Sequence, residues 1–282
     1  MSQEIIELLD KAVEANAADR FRRGNLIVLP ASGNLVISGD LHGHRRNFER
    51  IVAFADLAKN PGRHVILQEI IHGGPEDAEG GCLSYRLLLE AVRYKLKFPD
   101  RVHIIMGNHD TAFISNIDVL KNDKEMNRAM QLALNNEFAE RSIDVSQAIV
   151  RFLFSQPLAV RCDNRVWLSH SLPADRLVDK FDTAVLSRPL KNTDLMRPGS
   201  VYILTWGRQH SQALLDRMAK LFDVDIFILG HQPQLQGWSK AGDNLIILAS
   251  DHNQGCLLSI ELSKSYTIDE LAEAIVPMAY IA

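Results

Sequence analysis

Seven side chains able to bind metal or carry protons stand at or just after the ends of short apolar runs. Asp40 and His42 lie in ISGDLHGH (37–44), Glu69 follows HVILQ (64–68), and Asn108 and His109 lie in IIMGNHD (104–110). His170 follows RVWLS (165–169), and His231 follows DIFIL (225–229) in LGHQP. If these ends converge, they bring together two carboxylates, several imidazoles and one amide oxygen. Such a mixed donor set suits manganese, iron or zinc better than magnesium or calcium, which prefer all-oxygen shells. Two carboxylates do not neutralise two divalent ions, so the pair would attract a bridging hydroxide and a phosphate. An acidic chain can therefore carry a local anion trap. Gly39, Gly43, Gly107 and Gly230 would let the backbone turn sharply beside these ligands.

Each residue also has a plainer reading when taken alone. Asp40 could cap a helix over 44–58. His170 or His231 could be a hydrogen-bonded core histidine, and Glu69 a solvated charge. Their joint occurrence at five strand ends argues for a site, because ligands of open α/β sheets bind at the carboxyl ends of the strands. His64, His103 and His210 have no such company and read as structural.

The elements that must position these residues follow from apolar periodicity. Strands are predicted over 25–29, 34–38, 64–68, 102–106, 157–161, 165–169, 201–205, 225–229, 244–249 and 256–261. Helical patterns fill 44–58, 81–97, 122–154, 174–181, 209–221 and 268–276. An amphipathic N-terminal helix over 1–20 places Ile5, Leu8, Leu9 and Val13 on one face. Early strands alternate with helices, which predicts parallel pairing; the close-spaced strands from 225 onward predict antiparallel pairing. The expectation is an α/β chain with two packed mixed sheets flanked by helices. It forms one domain over 1–282, with a helical insertion or cap at 113–155.

Composition limits the partners. The chain has 282 residues, is 46% hydrophobic and carries a formal net charge of −4. With no basic arm or stripe, general nucleic-acid binding is not expected. No apolar run approaches a membrane span and no signal-type h-region opens the chain. Cys82, Cys162 and Cys256 are distant and lack CxxC spacing, which argues against disulfides and thiolate zinc sites. A reducing cytoplasm is the expected location.

GDLHG (39–43), GNHD (107–110), the lone histidine in WLSHSLP (167–173) and LGHQP (229–233) together resemble the calcineurin-like metallophosphoesterases. Their order is most similar to the serine/threonine phosphoprotein phosphatases and the diadenosine tetraphosphate hydrolases, over roughly residues 34–261. The resemblance implies the metallophosphoesterase α/β/β/α sandwich and a dinuclear metal centre. Asp40 and His42 would bind one metal, Glu69 would bridge both, and Asn108, His170 and His231 would bind the other. A metal-bridging hydroxide would attack phosphorus in line while His109 protonates the leaving oxygen. Manganese is the first expectation for both ions, with iron or zinc as alternatives. The substrate would be a phosphomonoester or phosphoanhydride carried by a small molecule, nucleotide or phosphoprotein.

The family's second motif, Gly-Asp-x-x-Asp-Arg-Gly, is altered here. The aligned residues are Gln68-Glu69-Ile70-Ile71-His72-Gly73-Gly74. Glu69 carries the bridging charge on a stem one methylene longer. His72 stands in place of the aspartate that supports the general acid, and Gly73 in place of the arginine that grips phosphate. His72 could hydrogen-bond His109 or meet the phosphate itself. Arg208 in LTWGRQH is the preferred substitute for the arginine, ahead of Arg45 or Arg46; His44 and His252 are further candidates beside the substrate. A different class of function remains open on these residues: a metal-binding regulatory or scaffold protein with little turnover.

Overall fold

The computed structural model describes residues 2–121 and 123–281, and in it the apolar runs are strands of two sheets packed face to face. The chain begins with α1 (Ser2–Ala17), β1 (Arg22–Arg23), β2 (Leu26–Leu29), β3 (Asn34–Asp40), α2 (Arg45–Ala55), β4 (Arg63–Gln68), α3 (Ser84–Lys97) and β5 (Val102–Ile105). Next come α4 (Asn108–Ser115), β6 (Leu120–Lys121), β7 (Lys124–Glu125), α5 (Met126–Phe138), α6 (Ser142–Ser155), β8 (Ala159–Cys162) and β9 (Val166–Ser169). The remainder holds α7 (Asn192–Leu195), α8 (Ser200–Thr205), α9 (Gln212–Phe222), β10 (Ile226–Leu229), β11 (Trp238–Ala241), β12 (Leu245–Leu248), β13 (Cys256–Glu261), α10 (Ile268–Glu273) and β14 (Ile275–Pro277).

One sheet runs β14-β13-β3-β4-β5 and the other β1-β2-β8-β9-β10-β12-β11, with β6-β7 a separate hairpin. Strands β3, β4 and β5 are parallel, with Ile37 opposite Ile66 and Ile66 opposite His103. Strands β9, β10 and β12 are parallel as well, with Leu229 opposite Ser169 and Ile247. Each triplet therefore delivers its carboxyl ends side by side. A bridge between Asp40 and Ala249 ties the end of β3 to the residue after β12, so the two sets of ends meet.

Alternate residues explain why the runs are so apolar. Ile37, Ile66 and Ile105 face Leu168, Ile228 and Leu248 between the sheets. The opposite faces of β3, β4 and β5 put Val36, Val65 and Ile104 in a core with Leu9, Leu88, Met130 and Ile149 of the helices. Trp167 and Phe227 pack likewise beside Leu204, Leu215 and Met218. Strands buried on both faces need no polar alternation. The result is the expected sandwich of two mixed sheets between helices. Ile5 and Leu9 of α1 are buried, with Leu8 and Val13 packed against the same core. Within 113–155, α5 and α6 lie in the helical layer, while Leu120, Lys121, Lys124 and Met126 reach the cavity at the strand ends.

Several local expectations are corrected. VYILT is helix α8, not a strand; its short apolar run has no decisive period, and Thr205 Oγ1 closes it by donating to the Val201 carbonyl. Strand β10 pairs in parallel with β9 and β12, whereas the later pairs β11-β12, β13-β3 and β13-β14 are antiparallel. The helical run 122–154 breaks at Ala139, where φ is 47°. The 174–181 pattern is a 3-10 turn over Asp175–Lys180. Strands β11 and β14 escaped notice because each is a half-exposed edge.

Candidate metal centre

Backbone conformation marks the site before any side chain is considered. His42, Glu69, His72 and His231 have φ of 40°, 47°, 65° and 66°, a left-handed region that side chains seldom adopt. Such conformations concentrate where surrounding structure forces a functional geometry. Each follows a strand end: β3 for His42, β4 for Glu69 and His72, β10 for His231. Asn108 and His109 open α4 directly after β5, and His170 follows β9.

The carboxylate of Glu69 rests on the start of α4. Its Oε1 accepts the His109 backbone N–H at 3.0 Å, and a Cβ on Gly107 would lie 2.5 Å from it. Only glycine leaves room there for the longer glutamate stem. The other oxygen, Oε2, is buried without a hydrogen-bond partner.

That oxygen faces a nitrogen that has no proton to offer. His170 Nδ1 lies 3.1 Å from Gln68 Oε1, and the Gln68 amide is oriented by donating its Nε2–H to the Ser38 carbonyl at 2.9 Å. The ring proton of His170 therefore sits on Nδ1, leaving a lone pair on Nε2. Nε2 stands 2.9 Å from Glu69 Oε2, 2.9 Å from Asn108 Oδ1 and 3.2 Å from His231 Nδ1. His170 Nε2, Glu69 Oε2 and Asn108 Oδ1 are acceptors facing one another, as along the edges of a coordination shell, since ligands about 2.1 Å from an octahedral ion lie about 3.0 Å apart. Asp40, Glu69 and His170 each offer a ligand atom, all within 4.8 Å of one another.

The remaining ligand candidates flank this cluster. Both Asp40 oxygens accept the His231 N–H, at 3.0 and 3.1 Å. His42 Nδ1 donates to the Ile71 carbonyl at 3.0 Å, which leaves its Nε2 lone pair 3.8 Å from Asp40 Oδ2. His231 Nδ1 lies 2.9 Å from Asn108 Oδ1, while Arg208 donates Nε–H to His231 Nε2 at 3.1 Å. A cation on His231 Nδ1 would shift the ring proton to Nε2 and release Arg208 into the cavity.

Protein charge alone does not balance this cluster. Burial, above all, pushes the Glu69 carboxyl up to about 8 and that of Asp40 up to about 6. Burial likewise holds the His42 imidazole down at about 3. Without cations Glu69 would be protonated near neutral pH and the imidazoles would stay neutral; bound cations reverse the first and require the second. The donor set, the partnerless Glu69 Oε2 and the fixed tautomers of His42 and His170 thus fit divalent metal.

His109 lies beside this centre, its ring 4.8 Å from that of His42 in edge contact. Its Nδ1 is 3.0 Å from His72 Nδ1, so His72 is the partner of His109. Burial, then the His42 and His72 rings, holds His109 well below the ordinary histidine range. Asp110 points elsewhere: its Oδ2 accepts the Gly107 N–H at 2.9 Å and caps α4. His44 is not brought to the centre either; its ring accepts the Asn47 N–H at 3.2 Å and caps α2. His252 and Arg208 line the cavity of about 920 Å³ above the cluster, together with Asp40, His42, Asn108, His109 and His231.

Sequence reasoning missed three residues here. Gln68 fixes the His170 tautomer, and its one sequence signal is a polar amide closing the apolar run HVIL. Lys121 and Asp251 pair at 3.0 Å across the cavity, and no local pattern announced either.

Comparison with known proteins places the chain. A serine/threonine-protein phosphatase of Caenorhabditis elegans is 22% identical over 234 residues, covering 77% of this chain and 47% of the relative. This chain thus spans about half the length of that curated relative. A Saccharomyces cerevisiae protein serine/threonine phosphatase with similarity to human phosphatase PP5 superposes with a TM-score of 0.69 at 15% identity. The match covers 99% of this chain and 94% of the yeast chain. A cold-active protein-tyrosine phosphatase of a psychrophilic Shewanella gives a TM-score of 0.59 at 15% identity, over 84% of this chain and 77% of the other. Neighbours named for different substrates share the architecture, so the fold by itself selects no substrate. Among the described residues no helix is long and apolar enough to cross a membrane. The model of the calcineurin-like phosphoesterases matches residues 33–235, and the chain belongs to that family.

Proposed function

We propose that this chain is a dinuclear metal-dependent phosphoesterase that hydrolyses a phosphomonoester or phosphoanhydride. The observation that carries the reading is that His170 Nε2 lies 2.9 Å from both Glu69 Oε2 and Asn108 Oδ1, directly behind Asp40, His42, Asn108 and His109, which line the cavity. Asp40, His42, Glu69, Asn108, His170 and His231 would hold the cations, with Asp40 and His42 on one side of Glu69 and Asn108, His170 and His231 on the other. When bound, the divalent pair, manganese before iron or zinc, supplies a water acidic enough to attack phosphorus near neutral pH.

The chain's own residues perform the rest. Gln68 and the Ile71 carbonyl hold the ligand nitrogens of His170 and His42 unprotonated. Arg208, released from His231, meets the phosphate oxygens. His109, protonated in the substrate complex, donates Nδ1–H to His72 Nδ1 and gives its Nε2 proton to the leaving oxygen, which returns it to the neutral imidazole. Such general-acid assistance contributes about two to four orders of magnitude. The 3.0 Å bond between His72 and His109 favours this reading over a scaffold without turnover. A phosphoprotein, a nucleotide or a phosphorylated small molecule remains in view as the substrate.

The test is a panel of p-nitrophenyl phosphate, nucleotides and phosphopeptides offered to manganese-loaded protein. Turnover that His109→Asn removes while metal content stays constant supports the assignment. Full metal content with every substrate untouched would sink it.

A further inference from the structure

The loop after β4 carries no cation for the substrate phosphate and has no room for one at Gly73. Gly73 has φ +149°, and a Cβ there would lie 2.6 Å from the His42 carbonyl oxygen. Among the described residues, the cavity is lined by three cationic side chains: Lys121, Lys124 and Arg208. Lys124 is engaged at the rim by Glu76, at 2.8 Å, and by the Gly80 carbonyl.

Lys121 differs from Lys124 in where its charge acts. It projects from the β6-β7 hairpin and meets Asp251 Oδ2 at 3.0 Å, with the two side chains 25% and 26% exposed. Asp251 follows Ser250, whose N–H donates to the Asp40 carbonyl at 3.0 Å, so the pair spans the cavity at the edge of the metal centre. Lys121 is therefore a cation close to the reacting region, held by a carboxylate that a better anion could replace. A partly exposed ion pair of this kind contributes little to stability, so exchanging it costs little. A phosphate dianion offers an ammonium more charge and more acceptor oxygens than one carboxylate does.

We propose that Lys121 is a ligand of the substrate phosphate and that Asp251 is the internal anion which that phosphate displaces. This rests on the phosphoesterase reading, since the metal pair holds the rest of the phosphate charge. The hairpin would thereby couple substrate binding to the loop after β12, and the Lys121–Asp251 pair would set phosphate affinity.

Calorimetric titration of manganese-loaded, full-length protein with inorganic phosphate tests the assignment, alongside p-nitrophenyl phosphate kinetics. Lys121→Gln should weaken phosphate binding about tenfold to a hundredfold, the usual worth of a hydrogen bond to a charged group. It should raise KM more than it lowers kcat, with metal content unchanged. Asp251→Asn should tighten phosphate binding, because Lys121 loses its competitor, and Lys121→Arg should retain most of the affinity. If the pair only ties the hairpin down, Lys121→Gln and Asp251→Asn will shift affinity in the same direction, which overturns the proposal. Affinity unchanged within about twofold in Lys121→Gln also overturns it. Metal-loaded protein that binds phosphate in this pattern yet turns nothing over refutes the phosphoesterase reading alone. Turnover with no response to Lys121→Gln refutes the Lys121 assignment alone, and metal-loaded protein that binds no phosphate refutes both.

Discussion

Replacing His72 with aspartate returns a negative charge to the partner position of His109, and the geometry says how well it will sit. In both side chains the δ atom is bonded to Cγ, so an aspartate oxygen would take the place of His72 Nδ1, 3.0 Å from His109 Nδ1. The backbone tolerates the change, since φ is 65° at His72 and aspartate is among the side chains found there more readily. At an effective dielectric near 20, opposite unit charges about 4 Å apart attract by about 4 kcal/mol, or about three pKa units of His109. The bound cations oppose the imidazolium and reduce this, so a rise of about one to three units is expected. His109 must be protonated to act, so wild-type activity should fall as pH rises; burial, then the His42 and His72 rings and the Lys121 ammonium, hold its basicity down. In His72→Asp the alkaline limb of kcat/KM for p-nitrophenyl phosphate, measured with saturating manganese, should move up by about one to three pH units. His72→Asn, isosteric and neutral, should leave the limb in place. A limb that stays within about 0.3 units in His72→Asp, with metal content and circular dichroism unchanged, would refute the His72–His109 reasoning.

Gln68→Leu removes the acceptor that keeps the His170 proton on Nδ1. Manganese affinity, read by isothermal titration, should fall about tenfold to a hundredfold with the fold intact; unchanged affinity would contradict the tautomer argument. In the metal-free protein Glu69 should contribute stability that is lost as pH rises. Burial raises the folded-state pKa of Glu69 from 4.5 to about 8, so the folded chain binds a proton that the unfolded chain has released. The stabilisation is complete below about 4.5 and is lost as pH rises through about 8. From pH 6.5 to 8.5 this contribution falls by about 2 kcal/mol. The buried histidines, held low in the folded chain but half-protonated near pH 6.5 when unfolded, act in the opposite direction, so the loss is read against Glu69→Gln, which keeps them. The melting temperature of EDTA-treated wild type minus that of EDTA-treated Glu69→Gln should fall by several degrees between pH 6.5 and 8.5. A difference that stays flat or rises would contradict it.

Most of the fold was legible because each strand of the two parallel triplets is a continuous apolar run closed by a polar residue. Asp40, Glu69, Asn108, His170 and His231 stand at or just after such closures; parallel pairing gathers them within each sheet, and the face-to-face packing of the sheets brings the two sets together. Helix α8 was misread because four consecutive apolar residues carry no period, and β11 and β14 were missed because edge strands need not be apolar. Sequence could pose the question of His72 but not answer it, since the His109 partner lies 37 residues away and comes into reach through the left-handed turn after β4. The same holds for Lys121 and Asp251, whose pairing spans 130 residues and depends on how the β6-β7 hairpin meets the loop after β12. His44 shows the opposite case: a histidine beside the motif was drawn off to cap α2.

Metal titration of the stripped protein, with bound manganese and turnover of p-nitrophenyl phosphate followed together, bears most directly on the centre itself. The arrangement of Asp40, His42, Glu69, Asn108, His170 and His231 predicts two ions per chain, with turnover appearing as the second is taken up. Glu69→Gln should abolish the second uptake and the turnover with it. Saturation at one ion or none, or turnover that persists in the presence of chelator, would contradict the dinuclear account.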